Sequence, residues 1–362
     1  MLLALMLLLG ILLSPYVIIT LIVLVFGKKQ NLKKDYSYRP TVTVFLPTLN
    51  EEKYISEKLE NLSGQTYPIE EILIYDCSTD QTKEIIREYQ KKFPNVKLID
   101  QERIGMARTL NEALMNSAGD IIVKTDCDSL TKSRDALREI VADFSDEKVG
   151  GACGVCTNKG VEGWFRILMT RLQVAESNID STIIAHATSL LAFRRKVVKE
   201  VNPVSLADDT EEFVIIRKQG YKTVVDKEVV SEEDIPQTFA ARRIQKDRRA
   251  QGIISVLLGN LSILFNRKYG LYGLVVFPLE FFLLVISPFI AVFSVILLGF
   301  LLFSLNQLYL IPYALLLSSP IVLFRAKKLD GLIAIIDSQL SALLGTLRFL
   351  IGKNNPKWER VR

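Results

Sequence analysis

The chain is short of metal-binding side chains: one histidine, His186, and four cysteines, Cys77, Cys127, Cys153 and Cys156, in 362 residues. The CGVC at 153–156 is a single CxxC with no second pair and no histidine set beside it, which argues against a zinc site. In a cytoplasmic domain these cysteines read as reduced, small core residues, and His186 as a structural one. There is no internal repeat and no low-complexity segment, which removes solenoids and fibrous arrays. A net charge of +5 is modest, and its basic residues flank apolar segments. That pattern fits anionic lipid headgroups rather than nucleic acid.

What residues 2 to 26 lack is any charge at all. This run, LLALMLLLGILLSPYVIITLIVLVF, exceeds the roughly 20 residues needed to cross a hydrocarbon core. A cleaved signal peptide is the alternative, but no basic segment precedes the run and no small-residue cleavage site follows it. A signal anchor is therefore expected, with Lys28, Lys29, Lys33 and Lys34 keeping the next segment in the cytoplasm. The chain turns apolar again from Gly270. Residues 277–303 and 308–324 read as spans, the first kinked or broken near Pro288, and RAKK at 325–328 returns the chain to the cytoplasm. The stretch from Leu329 to Gly352 carries Asp330, Asp337, Gln339 and Arg348, so an amphipathic helix in the membrane interface is expected, followed by a cytoplasmic basic tail. The expected organisation is an anchor at 1–27, a cytoplasmic domain at 28–235, basic interfacial helices at 236–270, two spans within 271–328, and the amphipathic helix and tail at 329–362. A multi-pass protein of the cell membrane, with its catalytic domain in the cytoplasm, is expected.

Between Thr41 and Val230 short β-rich runs alternate with helical stretches. The runs TVTVFLP (41–47), EILIYD (71–76), VKLID (96–100), DIIVKT (120–125) and VGGACGV (149–155) are separated by segments with apolar residues at helical spacing. This predicts an α/β domain with a largely parallel sheet, in which ligands bind at the carboxyl ends of the strands. Polar residues gather at those ends: Thr48, Asn50 and Glu51; Asp76, Ser78 and Asp80; Asp126 and Asp128. So many carboxylates repel one another unless something cationic or hydrogen-bonding sits among them.

In TDCDS, 125–129, strand alternation turns both carboxylates to one side and Cys127 to the other. Two hard oxygen ligands suit Mg²⁺ or Mn²⁺ completed by waters and substrate phosphates. The plainer alternative is a loop whose solvated aspartates cap the following helix.

Three segments in order resemble glycosyltransferase family 2, in its membrane-anchored form. VTVFLPTLNEE (42–52) resembles the opening strand and PTxNE turn of that family. ILIYDCSTDQT (72–82) is similar to its xxDDGSTDGT, with Tyr75 and Cys77 in place of the usual Asp and Gly. GMARTLNEALMNSAGDIIVKTDCDS (105–129) follows ALNxGLxxAxGDxIxxxDxD. The resemblance covers about residues 40–252. It implies an α/β GT-A fold and an inverting, metal-dependent enzyme with Mn²⁺ or Mg²⁺ as cofactor. It also implies that Asp76 contacts the nucleobase, that Pro47, Thr48 and Glu51 line the nucleotide pocket, and that Asp126 and Asp128 hold the diphosphate through the metal. Relatives often carry a lysine where Met106 stands, and Arg103 or Arg108 is the candidate to replace its charge.

SLADDTEEFVIIRKQGYK, 205–222, resembles the TEDxE segment of the family, which implies Asp209 as base with Asp208 in the preceding acidic place. Inverting transfer needs one carboxylate to take the proton of the acceptor hydroxyl. Acids decorating a helix N-terminus are the alternative. In IPQTFAARRIQKDRRAQG, 235–252, Pro236 can open a helix that places Arg242, Gln245 and Arg249 on one face. It is similar to the QxxRW motif, read as Gln245, Arg248 and Arg249, with arginine where tryptophan is usual. That arginine favours a phosphate, of the nucleotide or of a lipid carrier, although a basic helix on an anionic membrane has the same composition. HATSLLAFRR, 186–195, resembles the acceptor-side strand. The expected reaction moves a sugar from a nucleotide sugar, with a UDP-sugar the expected donor, to a lipid-linked acceptor. The alternatives are a processive polysaccharide synthase and a non-catalytic membrane scaffold of the same fold.

Overall fold

The structure is a computed structural model that describes residues 2–157, 160–184, 190–233, 239–314 and 330–352. Helix α1 (Leu2–Phe26) precedes an α/β unit of eight strands: β1 (Val42–Thr48), β2 (Glu71–Asp76), β3 (Val96–Asp100), β4 (Ile121–Lys124), β5 (Ser129–Thr131), β6 (Val149–Thr157), β7 (Leu191–Arg194) and β8 (Lys222–Glu233). They form one sheet in the order β3-β2-β1-β4-β7-β6-β8-β5. Helices α2 (Ile55–Ser63), α3 (Thr82–Lys92), α4 (Met106–Asn116) and α5 (Ala136–Ala142) alternate with the first strands. Then come α6 (Gly160–Ile179), α7 (Asp208–Lys218) and α8 (Phe239–Gly259).

The sheet is mixed rather than largely parallel. β3, β2, β1 and β4 run parallel, but β7 inserts antiparallel between β4 and β6, and β5 pairs antiparallel with β8. Strand β1 is buried along nearly its whole length, as a central strand covered on both faces must be. One face carries Val42, Val44 and Leu46 against Ile55, Leu59 and Leu62 of α2 and Leu137, Ile140 and Val141 of α5. The other packs Phe45, Leu73 and Tyr75 against α4 and, further along, Phe213 and Ile216 of α7. Gly151 lets α7 lie directly on β6, since a Cβ there would stand 2.7 Å from Ile216 Cδ1. That close approach sets the height of the acidic N-terminus of α7 above the sheet.

Helix α6 has no counterpart in the strand-and-helix pattern read from the sequence, and it ties the α/β unit to the apolar elements. Asn178 on α6 donates through Nδ2 to the carbonyls of Phe26 (2.6 Å) and Lys29 (2.7 Å), which fixes the end of α1. Of the four lysines that follow α1, Lys28, Lys29 and Lys33 are exposed, whereas Lys34 turns inward to Glu139 (2.7 Å) and Asp226 (2.6 Å). Lys34 is a fold residue rather than a headgroup contact. Cys127, Cys153 and Cys156 are buried and Cys77 half-buried, and none is disulfide-bonded.

Two helices among the described residues are long and apolar enough to cross a membrane, Leu5–Phe26 and Tyr272–Leu305. The second contains the expected span 277–303 and carries π-helical turns at Tyr272–Val276 and Phe282–Ile286. The latter turn ends two residues before Pro288, which has no N–H to donate to the turn behind it, and the intervening Ser287 hydroxyl donates to the Leu283 carbonyl (2.8 Å). Of the expected span 308–324, residues up to 314 are described; RAKK at 325–328, the tail from 353, Pro236 and His186 lie outside the described residues, as does the side chain of Arg242. The helix Asp330–Leu350 is amphipathic with its polar side turned inward. Asp337 pairs with Arg243 (2.5 Å) and Lys246 (2.8 Å) of α8, Arg348 pairs with Asp247, and Leu340, Leu347 and Leu350 face outward.

Candidate active site

At the carboxyl ends of β1 and β2, which pair Thr48 with Asp76, two loops are braided together. Asp76 is fully buried and accepts from Thr48 Oγ1 (2.6 Å), Ser78 Oγ (2.6 Å) and the Ser78 amide (3.0 Å). Asn50 adopts a positive φ of 55°, which aims its amide at Ser78 Oγ (2.8 Å) while its Oδ1 accepts from the Thr79 amide (2.9 Å). The Glu51 amide donates to Thr82 Oγ1 (2.8 Å), and Glu51 itself is buried. Pro47 sits opposite Tyr75 in the same register. The residues expected to line a nucleotide pocket therefore share one rigid edge. Arg108 is exposed on the first turn of α4, while the Cys77 thiol, raised by burial and by Asp76, is opposed by the nearby charge of Arg103.

Strand β4 stops at Lys124, so Asp126, Cys127 and Asp128 form a turn into β5 rather than an extended strand end. The side-chain alternation holds all the same: Cys127 is buried and both aspartates are half-buried. Burial, with the like charges of Asp128 and Glu233, pushes Asp126 up to about 7, against the pull of Lys124 and Arg249. Beneath the turn lies Lys58 of α2, fully buried, its Nζ donating to Thr125 Oγ1 (2.8 Å) and the Ser129 carbonyl (2.5 Å). Burial pushes Lys58 down to about 8, with Cys127, Asp126 and Asp128 opposing the shift.

Among the described residues no group of three or more His, Cys, Asp or Glu is arranged to hold a metal. The donor set at the turn is two half-buried carboxylates crowded enough to raise one pKa. Such a set is too small for a protein-only cage and fits Mn²⁺ or Mg²⁺ whose remaining ligands are waters and phosphate oxygens.

The N-terminus of α7 faces this turn. Lys124 is buried and held by Asp208 and by Glu212 (2.9 Å), which raises the lysine above its ordinary range despite its burial. Glu212 is pushed up to about 8 by burial, with Lys124 opposing. Asp208 is thus committed to a cation. Asp209 is raised by burial and by the charge of Asp208, while its Oδ1 accepts from the Thr210 amide (2.7 Å).

Helix α8 closes the other side. Gln245 and Arg249 lie one turn apart on it, both half-buried. Arg249 donates to Glu233 Oε1 (3.1 Å), and Arg166 of α6 to Glu233 Oε2 (2.9 Å). Burial and Arg249 push Arg248 down to about 10, and the charges of Asp126, Asp208 and Asp209 oppose that shift. The fold therefore brings together Asp126, Asp128, Asp208, Asp209, Arg248 and Arg249. Sequence reading missed Lys58, Lys124, Arg166 and Glu233. Two of these left a signal: Lys58 stands on the apolar face of α2 beside Ile55 and Leu62, and Lys124 interrupts the apolar run just before the two aspartates.

Residues 43–202 match the sequence model of glycosyl transferase family 2. A relative from Methanococcus voltae, a dolichyl N-acetyl-alpha-D-glucosaminyl phosphate 3-beta-D-2,3-diacetamido-2,3-dideoxy-beta-D-glucuronosyltransferase, is 44% identical over 87 residues, 23% of this chain and 27% of its own length. A probable glycosyltransferase of Bacillus subtilis is 25% identical over 282 residues, 70% of this chain and 64% of its own. In both cases the chain spans less than two thirds of the relative. A mannosyltransferase from Pyrobaculum calidifontis, solved in complex with GDP-Man and Mn²⁺, is similar over 95% of this chain and 99% of its own, with 26% identity and a TM-score of 0.75. The motifs in order, the match over residues 43–202 and the mixed GT-A sheet agree in supporting a family 2 glycosyltransferase.

Proposed function

We propose that the protein is an inverting glycosyltransferase that moves a sugar from a nucleotide sugar to a lipid-linked acceptor at the cytoplasmic face of a membrane. The observation that carries this reading is the meeting of two kinds of group: Asp209, an acid raised by its surroundings, and Arg248, a half-buried cation, both beside the Asp126–Asp128 turn. The Methanococcus voltae relative has a dolichyl phosphate sugar in its name, and the Pyrobaculum calidifontis protein holds a nucleotide sugar and Mn²⁺.

The Asp76 edge binds the nucleoside, where Thr48 and Ser78 hold the carboxylate in place. Asp126 and Asp128 hold a divalent cation, which when bound offsets charge on the departing diphosphate. Asp209 accepts the proton of the acceptor hydroxyl as that oxygen bonds to the anomeric carbon, and the bond from this carbon to the diphosphate breaks on the opposite face. A raised carboxylate is the better base here, because its proton affinity approaches that needed near neutral pH. Arg248 and Arg249 bind phosphate, of the donor or of the lipid carrier. Leu5–Phe26 and Tyr272–Leu305, each long and apolar enough to cross a membrane, hold the unit at its surface.

The test is release of nucleoside diphosphate by the detergent-purified protein across UDP- and GDP-sugars with Mn²⁺ or Mg²⁺. It is run with and without polyprenyl phosphate or a polyprenyl-phosphate sugar, with Asp209→Asn as control. Metal-dependent turnover that rises with the lipid and is lost in the variant supports the reading. A long polymer made without lipid identifies a processive synthase instead, and no turnover with any donor favours a scaffold.

A further inference from the structure

Lys58 occupies a place where sequence logic calls for an apolar residue. It lies on α2 between Ile55, Leu59 and Leu62 of the core and has no exposed surface. Its ammonium is held by two neutral oxygens, Thr125 Oγ1 at 2.8 Å and the Ser129 carbonyl at 2.5 Å. Taking an ammonium out of water is expensive even when it is hydrogen-bonded, and an apolar side chain of similar volume is often neutral or stabilising in such a place. Methionine has nearly the same length and no charge to desolvate. Stability therefore does not explain a lysine at this position.

Its partners do. Thr125 and Ser129 bracket the turn that carries Asp126 and Asp128, one on each side, and Lys58 approaches that turn from the core side. We propose that Lys58 is a positioning residue for the metal-binding turn, pinning both of its ends and offsetting from beneath the repulsion between its two carboxylates. Both carboxylates are then presented to one cation and to the diphosphate it carries. The inference rests on the reading above that Asp126 and Asp128 take a divalent cation. A metal–nucleoside diphosphate complex retains net negative charge, so loss of the buried cation and loss of the pinned geometry weaken its binding in the same direction.

The experiment measures binding of GDP and of UDP to the full-length protein by calorimetry with saturating Mn²⁺, alongside the thermal unfolding midpoint without metal. The variants are Lys58→Met, Thr125→Val and Asp128→Asn. Expected for Lys58→Met is an affinity at least about 10-fold weaker with an unfolding midpoint equal to or above that of the wild type. Thr125→Val, which keeps the charge and removes one anchor, loses affinity in the same direction by a smaller factor. Wild-type affinity in Lys58→Met, or a loss accompanied by a lowered midpoint, overturns the positioning role. If the wild type itself binds neither nucleotide in a Mn²⁺-dependent way, or Asp128→Asn retains that binding, the metal-site reading fails and the inference with it.

Discussion

Two inward-turned lysines, each held by two carboxylates, sit in different surroundings in this protein. Lys34, just after α1, is held by Glu139 and Asp226 with Asp143 at 4.0 Å. Lys124 is held by Asp208 and Glu212, but around it stand Asp209, Asp126 and the arginines of α8. Burial pushes Asp226 upward in the first cluster as it pushes Asp209 upward in the second. Each cluster also holds a buried acid raised by its surroundings, Asp143 in the first and Asp209 in the second. The difference lies in the neighbours: the first cluster ties the segment after α1 to the sheet, whereas the second adjoins the Asp126–Asp128 turn and the arginines of α8.

The sharpest way to break that comparison is to remove the acid beside the arginines of α8. Asp209→Asn is expected to lower kcat by about 10²- to 10⁴-fold, the usual contribution of a general base, with nucleotide affinity little changed. Steady-state sugar transfer and binding calorimetry on the same preparation check this.

The matching change in the other cluster should affect folding and leave the site alone. Lys34→Met strands three acids on a surface where the lysine side chain is only 12% exposed, and is expected to cost about 3–5 kcal/mol of stability. Denaturant unfolding measures that loss. Nucleotide affinity in the folded fraction should stay at the wild-type level, and a parallel fall would mean the two clusters are coupled.

Acidity offers a third distinction. Asp126 is raised to about 7, so the folded protein binds a proton there that the unfolded chain, with an ordinary carboxylate near 4, has already released. Between those values stability contributed by this group falls as pH rises, and it is the protonated form that is lost. Metal added at pH 8 should restore stability that it does not restore at pH 5, and apparent Mn²⁺ affinity should tighten as pH rises through about 7 and then level off. Thermal unfolding with and without Mn²⁺ across that range reads both.

The smallest effect is expected where helix Asp330–Leu350 meets α8. Asp337→Asn weakens its pairing with Arg243 and Lys246, part-exposed groups whose loss is worth no more than about 1 kcal/mol. Unfolding midpoints should shift slightly and transfer kinetics hardly at all.

Much of the α/β unit was legible because its strands and helices announce themselves by periodicity. The runs at 71–76 and 96–100 match β2 and β3 residue for residue, and the acid-rich ends of β1 and β2 pointed to their shared edge. One feature was not legible for a physical reason. The antiparallel insertion of β7 depends on which strand lies beside β4, and that is a long-range pairing with no local signature. The helix expected from the composition of 329–352 is present as Asp330–Leu350, with its charges paired to α8 and its leucines turned outward, an orientation composition does not give. Composition reports that two faces differ, and only packing says which of them is inside.

The sequence by itself determined the succession of apolar runs, strands and acidic turns, because hydrophobic period and turn chemistry act between near neighbours in the chain. It also carried Asp76, Asp126, Asp128 and Asp209 as candidates. The tertiary structure alone decided which charges are committed: Lys124 reaches Asp208 and Glu212 more than eighty residues away, Arg166 and Arg249 converge on Glu233, and Lys58 comes up beneath the acidic turn. Electrostatic partnership depends on distance in space, and distance in space is what folding creates.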